Sequence, residues 1–496
     1  KSLLAQGRAS RLQGRAMWPA APLAPRRSTD VAVGFLFVGL ALLPQLSLAV
    51  YAVARGSVAA RAAGAGFPIG VVQGLSQAMG LSALLSLLFL RLLCCVPIQL
   101  VVYGVILGST GLLAGFGISL SFGFWTQDPS PNAFIQVFAA HGGELLLLGA
   151  LLELVLVSWF WKELRLSIAI LRTTTAFLRD VPWLTLVYPP LFGLIHFVGL
   201  SLWCLAMIGA LELMQEEEGL GRSLRERYAV RSGLFLLFCY FWGNCLATAL
   251  SSLATASLAA GWYFAPSQRK PQGVLGLRAL GPRRCFAAVC EGVQSHGGSL
   301  ALGALALAAV RVLSICLFWA GRNHQRLPDD SNMRRCWLRF RETAAGCLER
   351  TASFASRQAY VEMALSGRGF CHSAQQAAIA TLEAPKRIIA VESTGLLHRL
   401  IAEVLLMGLA GCIALVGRGG SDAPQQPGAV QSVFWACIGA WLVAESMLHP
   451  VSVATSTILH CFLLDGCMVN VDHTPLPLKE FLGVKDDDNS FAAHYA

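Results

Sequence analysis

An all-α, polytopic integral membrane protein with about ten transmembrane helices is the fold class this sequence predicts. Three observations carry it. Hydrophobic residues make up 55% of the chain and charged residues only 13%, where a soluble domain carries about 25% charge. Mean hydropathy is +0.59. Apolar stretches long enough to cross a bilayer, about 20 residues each, recur from Val31 to Leu463.

The elements follow in order. Residues 1–30 are polar, with Lys1, Arg8, Arg11, Arg15, Arg26 and Arg27 and no acid before Asp30; they read as a cytosolic tail. Span 1 (about Val31 to Ala54) and span 2 (about Val71 to Leu93) flank a short Gly/Ala loop. Span 3 (about Ile98 to Phe122) holds a glycine run from Gly108 to Gly117 that suits close helix approach. Span 4 (about Gly143 to Trp161) ends in Trp159-Phe160-Trp161. In residues 162–180, Leu164, Ile168, Leu171 and Leu178 alternate at helical spacing with Lys162, Arg165, Arg172 and Arg179, predicting an amphipathic helix on the membrane interface. Span 5 (about Trp183 to Leu213) carries Pro189-Pro190, which predicts a break or kink.

Span 6 (about Ser232 to Phe264) and span 7 (Ser299 to Ala320) are joined by a basic loop. Residues 321–357 form a second basic loop, with eight Arg between Arg322 and Arg357. A weak span 8 covers about Ala359 to Leu382, and spans 9 (about Leu396 to Val416) and 10 (about Val433 to Leu463) complete the transmembrane domain at 31–463. Residues 464–496 form a polar tail. Positive charge retained on one side sets orientation. Six basic residues precede span 1 and none lies in 125–142, so both tails are expected in the cytosol. The two consecutive basic segments, 265–297 and 321–357, run against strict alternation.

Composition also excludes functions. Net charge is +10, but the Arg residues sit between apolar spans, where topology-setting charge belongs, and this does not indicate nucleic acid. Fifteen Cys are scattered without a CxxC pair or Cys/His ligand spacing, so neither a structural zinc nor a disulfide scaffold is predicted. No GxSxG, HExxH or P-loop occurs, and no cofactor or enzymatic activity is expected.

Charged side chains inside apolar spans cost a few kcal/mol each and mark the first candidates. They are Glu153 in span 4, Arg311 in span 7, Glu403 in span 9 and Glu445 in span 10. Each either pairs with a neighbouring helix or, for Glu153 and Glu445, lines a polar cavity offering negative charge to a cationic solute. Aromatics are the second group. Trp125, Trp159, Trp161, Trp262 and Tyr263 lie at span ends and read as interface-belt residues. Tyr240, Trp242 and Trp441 lie deeper and suit a quaternary-ammonium cage, in which ring faces replace water around a cation. The candidate substrate-binding set is therefore Trp242, Glu445, Trp441, Glu153 and Tyr240.

Three motifs give a resemblance. Ala259-Ala260-Gly261-Trp262-Tyr263-Phe264 precedes a basic loop and His296-Gly297-Gly298-Ser299-Leu300-Ala301-Leu302-Gly303. Cys347-Leu348-Glu349 leads to Arg357-Gln358-Ala359-Tyr360-Val361 and then Gly367, Gly369-Phe370-Cys371 and Ser373-Ala374. Thr457-Ile458-Leu459-His460-Cys461-Phe462-Leu463-Leu464-Asp465 comes last. In this order they resemble the choline transporter-like family. The resemblance implies a multi-pass carrier of choline or ethanolamine among membrane lipids, working by alternating access, in the plasma membrane or an organellar membrane. It also implies a matching Trp at position 242. The chain departs from the family pattern at Ser251-Ser252, Arg357 and Ser456. A non-transporting scaffold subunit built from the same helices is the rival reading. A lipid-modifying enzyme is a third.

Overall fold

The structure, a computed structural model, describes residues 30–56, 98–121, 133–216, 222–265, 281–324, 332–383, 385–416 and 429–465, with isolated positions in 84–91 and 475–481. Span 2 of the sequence reading and most of both tails lie outside the described residues. The described residues form eleven helices: α1 Val31–Ala54, α2 Ile98–Ser121, α3 Ala133–Trp159, α4 Trp161–Asp180, α5 Pro182–Glu216, α6 Arg222–Tyr263, α7 Pro282–His324, α8 Asn332–Ser366, α9 Phe370–Glu383, α10 Pro385–Val416 and α11 Ala429–Asp465. Among them no strand occurs. Proline opens α5, α7 and α10, where its missing N–H costs no helical hydrogen bond.

Six of these helices are long and apolar enough to cross a membrane, or seven if α3 and α4, bent 77° at their junction, form one span. The chain is a multi-pass membrane protein. The ten-span expectation differs in identifiable places. The basic stretch taken as a loop at 321–357 is helical from Asn332 onward, as the first part of α8. The weak span 8 is two helices: α8 stops where Gly367 takes a positive φ of 68° and its N–H bonds the Met363 carbonyl at 2.9 Å, and α9 starts at Phe370. Span 7 begins earlier than its hydropathy suggested, because Pro282 starts α7 well before the apolar run.

Pro44 shows how the apolar environment handles a missing donor. Its absent N–H leaves the Leu40 carbonyl, one turn earlier, without a helical partner. The helix widens to a π-type turn at Phe37–Leu42, and the Cys239 thiol of α6 reaches the Leu40 carbonyl at 3.6 Å. At Pro189-Pro190 and Pro450, by contrast, α5 and α11 continue through the prolines and are not interrupted.

α6 is the hub, packing on α5, α7, α8 and α11, while α10 and α11 pack along each other. α2 and α3 pair with one another and reach the remaining helices mainly through α4. The glycine run of α2 contributes only partly: a Cβ at Gly117 would meet Leu147 and the Gly143 backbone, whereas Gly108, Gly111 and Gly115 face nothing within 4 Å. The degree of enclosure differs sharply between spans. Buried residues are 72% of the apolar window of α11 (Val443–Leu464) but only 11% in α1 and α5. α11 is thus the internal helix, and α1 and α5 are peripheral.

Two expectations are corrected at one end of the bundle. α4 does not lay its apolar face on lipid. Leu166, Ile170, Phe177 and Leu178 are buried in a cluster with residues of α10 and α11, Ile168 and Leu171 are buried against Val102 of α2, and Lys162, Arg165, Arg172 and Arg179 are exposed. Trp262 and Tyr263 are not belt residues. Trp262 is 5% exposed, donates its indole N–H to Asp180 Oδ2 at 3.0 Å and meets Phe177 edge-on at 5.6 Å. Tyr263 is fully buried. A Trp whose N–H finds a carboxylate inside the protein gains nothing from the headgroup region. Trp159 and Trp161 are exposed, Trp161 with its ring stacked 5.8 Å from that of Tyr103 of α2.

Candidate functional site

The polar residues of α11 recur every three or four positions: Trp441, Glu445, His449, Ser452 and Ser456. At 3.6 residues per turn they share one helix face and span about 22 Å of a hydrocarbon core roughly 30 Å thick. Each meets a polar partner on a neighbouring helix, so the internal helix of the bundle carries a continuous polar seam.

At the first end of the seam, Arg399 of α10 lies between two acids. Its Nε donates to Glu403 Oε1 at 2.7 Å, one turn along the same helix, and its Nη2 pairs with Glu445 Oε2 of α11. The Trp441 indole N–H donates to the other Glu403 oxygen at 3.3 Å. Glu403 is 4% exposed, while the Glu445 side chain is 34% exposed and Trp441 42%. Among the described residues two carboxylates therefore face one guanidinium, and the acid and ring that retain open surface are Glu445 and Trp441.

One turn further, His449 meets Ser252 of α6, with Nε2 and Oγ 3.1 Å apart. The Ser252 hydroxyl also lies 2.8 Å from the Thr248 carbonyl, to which it can donate. Beyond it, Arg357 of α8 pairs with Glu392 of α10 at 3.5 Å and donates to Ser452 at 3.3 Å. Gln358 donates to Glu392 at 2.9 Å and to Ser456 at 3.1 Å, and Ser456 returns a bond at 3.3 Å. This second cluster is balanced, one Arg to one Glu, and ties α8, α10 and α11 together. Burying its groups without those partners would cost several kcal/mol.

The five residues singled out from sequence lie in four places. Glu445 and Trp441 are together on the seam. Trp242 is 3% exposed in α6, with its indole N–H on the Ala301 carbonyl of α7 at 2.9 Å and Phe37 of α1 edge-on at 5.2 Å. That burial leaves no open ring face for a ligand in this conformation. Tyr240 packs on Trp203 and Phe241, both at 5.5 Å between ring centres. Glu153 lies on the α2–α3 pair, where Ser109 donates to it at 2.5 Å. Arg311 pairs with Glu349 of α8 at 3.7 Å. Sequence reasoning missed Arg399. Its signal was present as an Arg four residues before Glu403 on one helix, the spacing of an i,i+4 pair.

The aromatic motif segments also pack where the helices cross. Tyr360 of α8 and Phe370 of α9 sit 5.6 Å apart against Gly303 of α7. A family described as plasma-membrane choline transporter matches residues 145–466, which include the whole seam from Arg357 to Ser456. The chain belongs to this choline transporter-like family. Curated relatives include choline transporter-like protein 5 of Mus musculus, 25% identical over 252 residues, 49% of this chain and 34% of that protein. Choline transporter-like protein 2 of Danio rerio is 24% identical over 251 residues, 49% and 35% of the two chains. The protein of that name in Homo sapiens is 26% identical over 252 residues, 49% and 34%. The match spans about a third of the length of these relatives.

Proposed function

We propose that this choline transporter-like membrane protein carries a quaternary ammonium solute, choline or a related amino-alcohol, by alternating access. The cation would be held at Glu445 and Trp441. The supporting observation is the charge count among the described residues at the α10–α11 contact: two carboxylates, one guanidinium and a partly open indole, on the most enclosed of the described apolar helices. Uncompensated charge at membrane depth is costly to keep, and cation binding gives it a use. An indole beside a carboxylate suits a cation that has no proton to donate. The names of the relatives, choline transporter-like proteins 5 and 2, agree with this reading and with a protein that is not an enzyme.

The test is equilibrium binding to the purified protein of choline and of its neutral carbon isostere, 3,3-dimethylbutan-1-ol. Choline is expected to bind at least tenfold more tightly. Equal affinity for the two would remove cation recognition from the account.

For orientation, we place both tails in the cytosol and the protein in the plasma membrane, on the basic N-terminal segment and the description of the family. A single Cys introduced at Ser130 should react with an impermeant thiol reagent outside intact cells, and one at Ser28 should not. The reverse pattern would invert the topology.

A further inference from the structure

The geometry points to Arg399 as a tethered cation that occupies Glu445 when no solute is bound, so that Arg399 and the solute compete for one carboxylate. The inference rests on the cation-site reading above and concerns how that site is regulated.

The two contacts of the guanidinium differ in kind. The Nε contact with Glu403 at 2.7 Å lies within α10 and persists whenever that helix is intact. The Nη2 contact with Glu445 crosses from α10 to α11 and is lost if the helices separate. Glu403 already has both oxygens engaged, by Arg399 and by the Trp441 indole at 3.3 Å. Glu445 is the more exposed acid, 34% against 6% for the side chains, and is the one an arriving cation meets.

A quaternary ammonium and a guanidinium cannot share that carboxylate cheaply. Two positive charges at contact distance repel strongly where the surroundings are less polarisable than water. Arg399 has an alternative partner in Glu403, and the solute has none there. Solute binding therefore moves the guanidinium wholly onto Glu403 and removes the ionic link between α10 and α11. Apparent affinity is lowered by the fraction of molecules in which Arg399 still holds Glu445.

Two charge-conserving variants test this. Arg399→Lys keeps the positive charge but replaces a planar fork by a single ammonium, which can stay with Glu403 and release Glu445. Arg399→Gln with Glu403→Gln removes the competitor and one acid together, leaving the local net charge unchanged and Glu445 in place. Binding of radiolabelled choline to monodisperse protein is expected to tighten roughly tenfold in both, as for a site whose competent state rises from about a tenth to nearly all molecules. Wild-type affinity or weaker in both variants, with wild-type protein binding choline, overturns the competition and leaves the cation site standing. No choline binding to wild-type protein removes the site itself.

Discussion

Glu445→Gln is expected to weaken choline binding by roughly 30-fold, the equivalent of about 2 kcal/mol. The substitution keeps the shape of the side chain and removes the charge on the exposed side of the proposed site. It should not unfold the protein. With Glu445 neutral, Arg399 remains paired with Glu403 at 2.7 Å and the cluster becomes one cation to one anion, an easier count to bury than two acids to one base. Trp242→Ala is the companion control. Removing a 3%-exposed indole that bonds the Ala301 carbonyl should cost about 3 kcal/mol of stability. The choline affinity of the folded fraction should not change. Equilibrium binding and thermal unfolding in detergent separate the two outcomes. An unchanged affinity in Glu445→Gln, or a selective loss of affinity in Trp242→Ala, would move the site from α11 to α6.

Gly303→Val should prevent α7, α8 and α9 from packing. A Cβ at this position would stand 2.5 Å from Phe370 Cε2 and 2.6 Å from Tyr360 Oη, distances that require a ring to move. Tyr360 is 4% exposed and the nearby Leu300 and Ala301 are buried, so the surroundings give little room. Overpacking of this kind costs about 1–3 kcal/mol, and a branched residue lies at the upper end. The expected result is a large fall in the thermal midpoint of the detergent-solubilised protein. Phe370→Ala in the same chain should restore part of it by opening the space the new side chain needs. Failure of the second change to restore any stability would mean that the clash is not with Phe370.

Much of this organisation can be read from residue order, and the exceptions share a cause. Charge depletion and apolar runs mark the membrane class, whereas the early start of α7 at Pro282 lies ahead of its apolar run. What misleads is the assumption that an apolar face seeks lipid. Residues 162–180 have the alternation of an interfacial helix, yet their apolar side meets α2, α10 and α11. Trp262 stands at the end of a span, as belt residues do, yet Asp180 and Phe177 enclose it. Local pattern says that a face is apolar. It does not say whether lipid or another helix covers it.

The proposed site is half legible for a related reason. Glu445 and Trp441 attract notice because charge and indole rings are conspicuous in a span, and their spacing of four, continued through His449, Ser452 and Ser456, places them on one face. The Arg399–Glu403 pair is readable from its own spacing of four. That Arg399 also reaches Glu445 depends on how α10 meets α11, which no local spacing encodes. Trp242 shows the converse. Its depth in a span made it a cage candidate, but only the arrangement of α1, α6 and α7 reveals that Phe37 and the Ala301 carbonyl use it.

The most direct measurement is uptake of radiolabelled choline into lipid vesicles containing only the purified protein, compared with empty vesicles. Carriage of a quaternary ammonium by alternating access predicts saturable uptake that unlabelled choline competes away and that Glu445→Gln largely abolishes. Uptake no greater than in empty vesicles, with the protein folded and inserted, would contradict it and favour a scaffold built from the same helices.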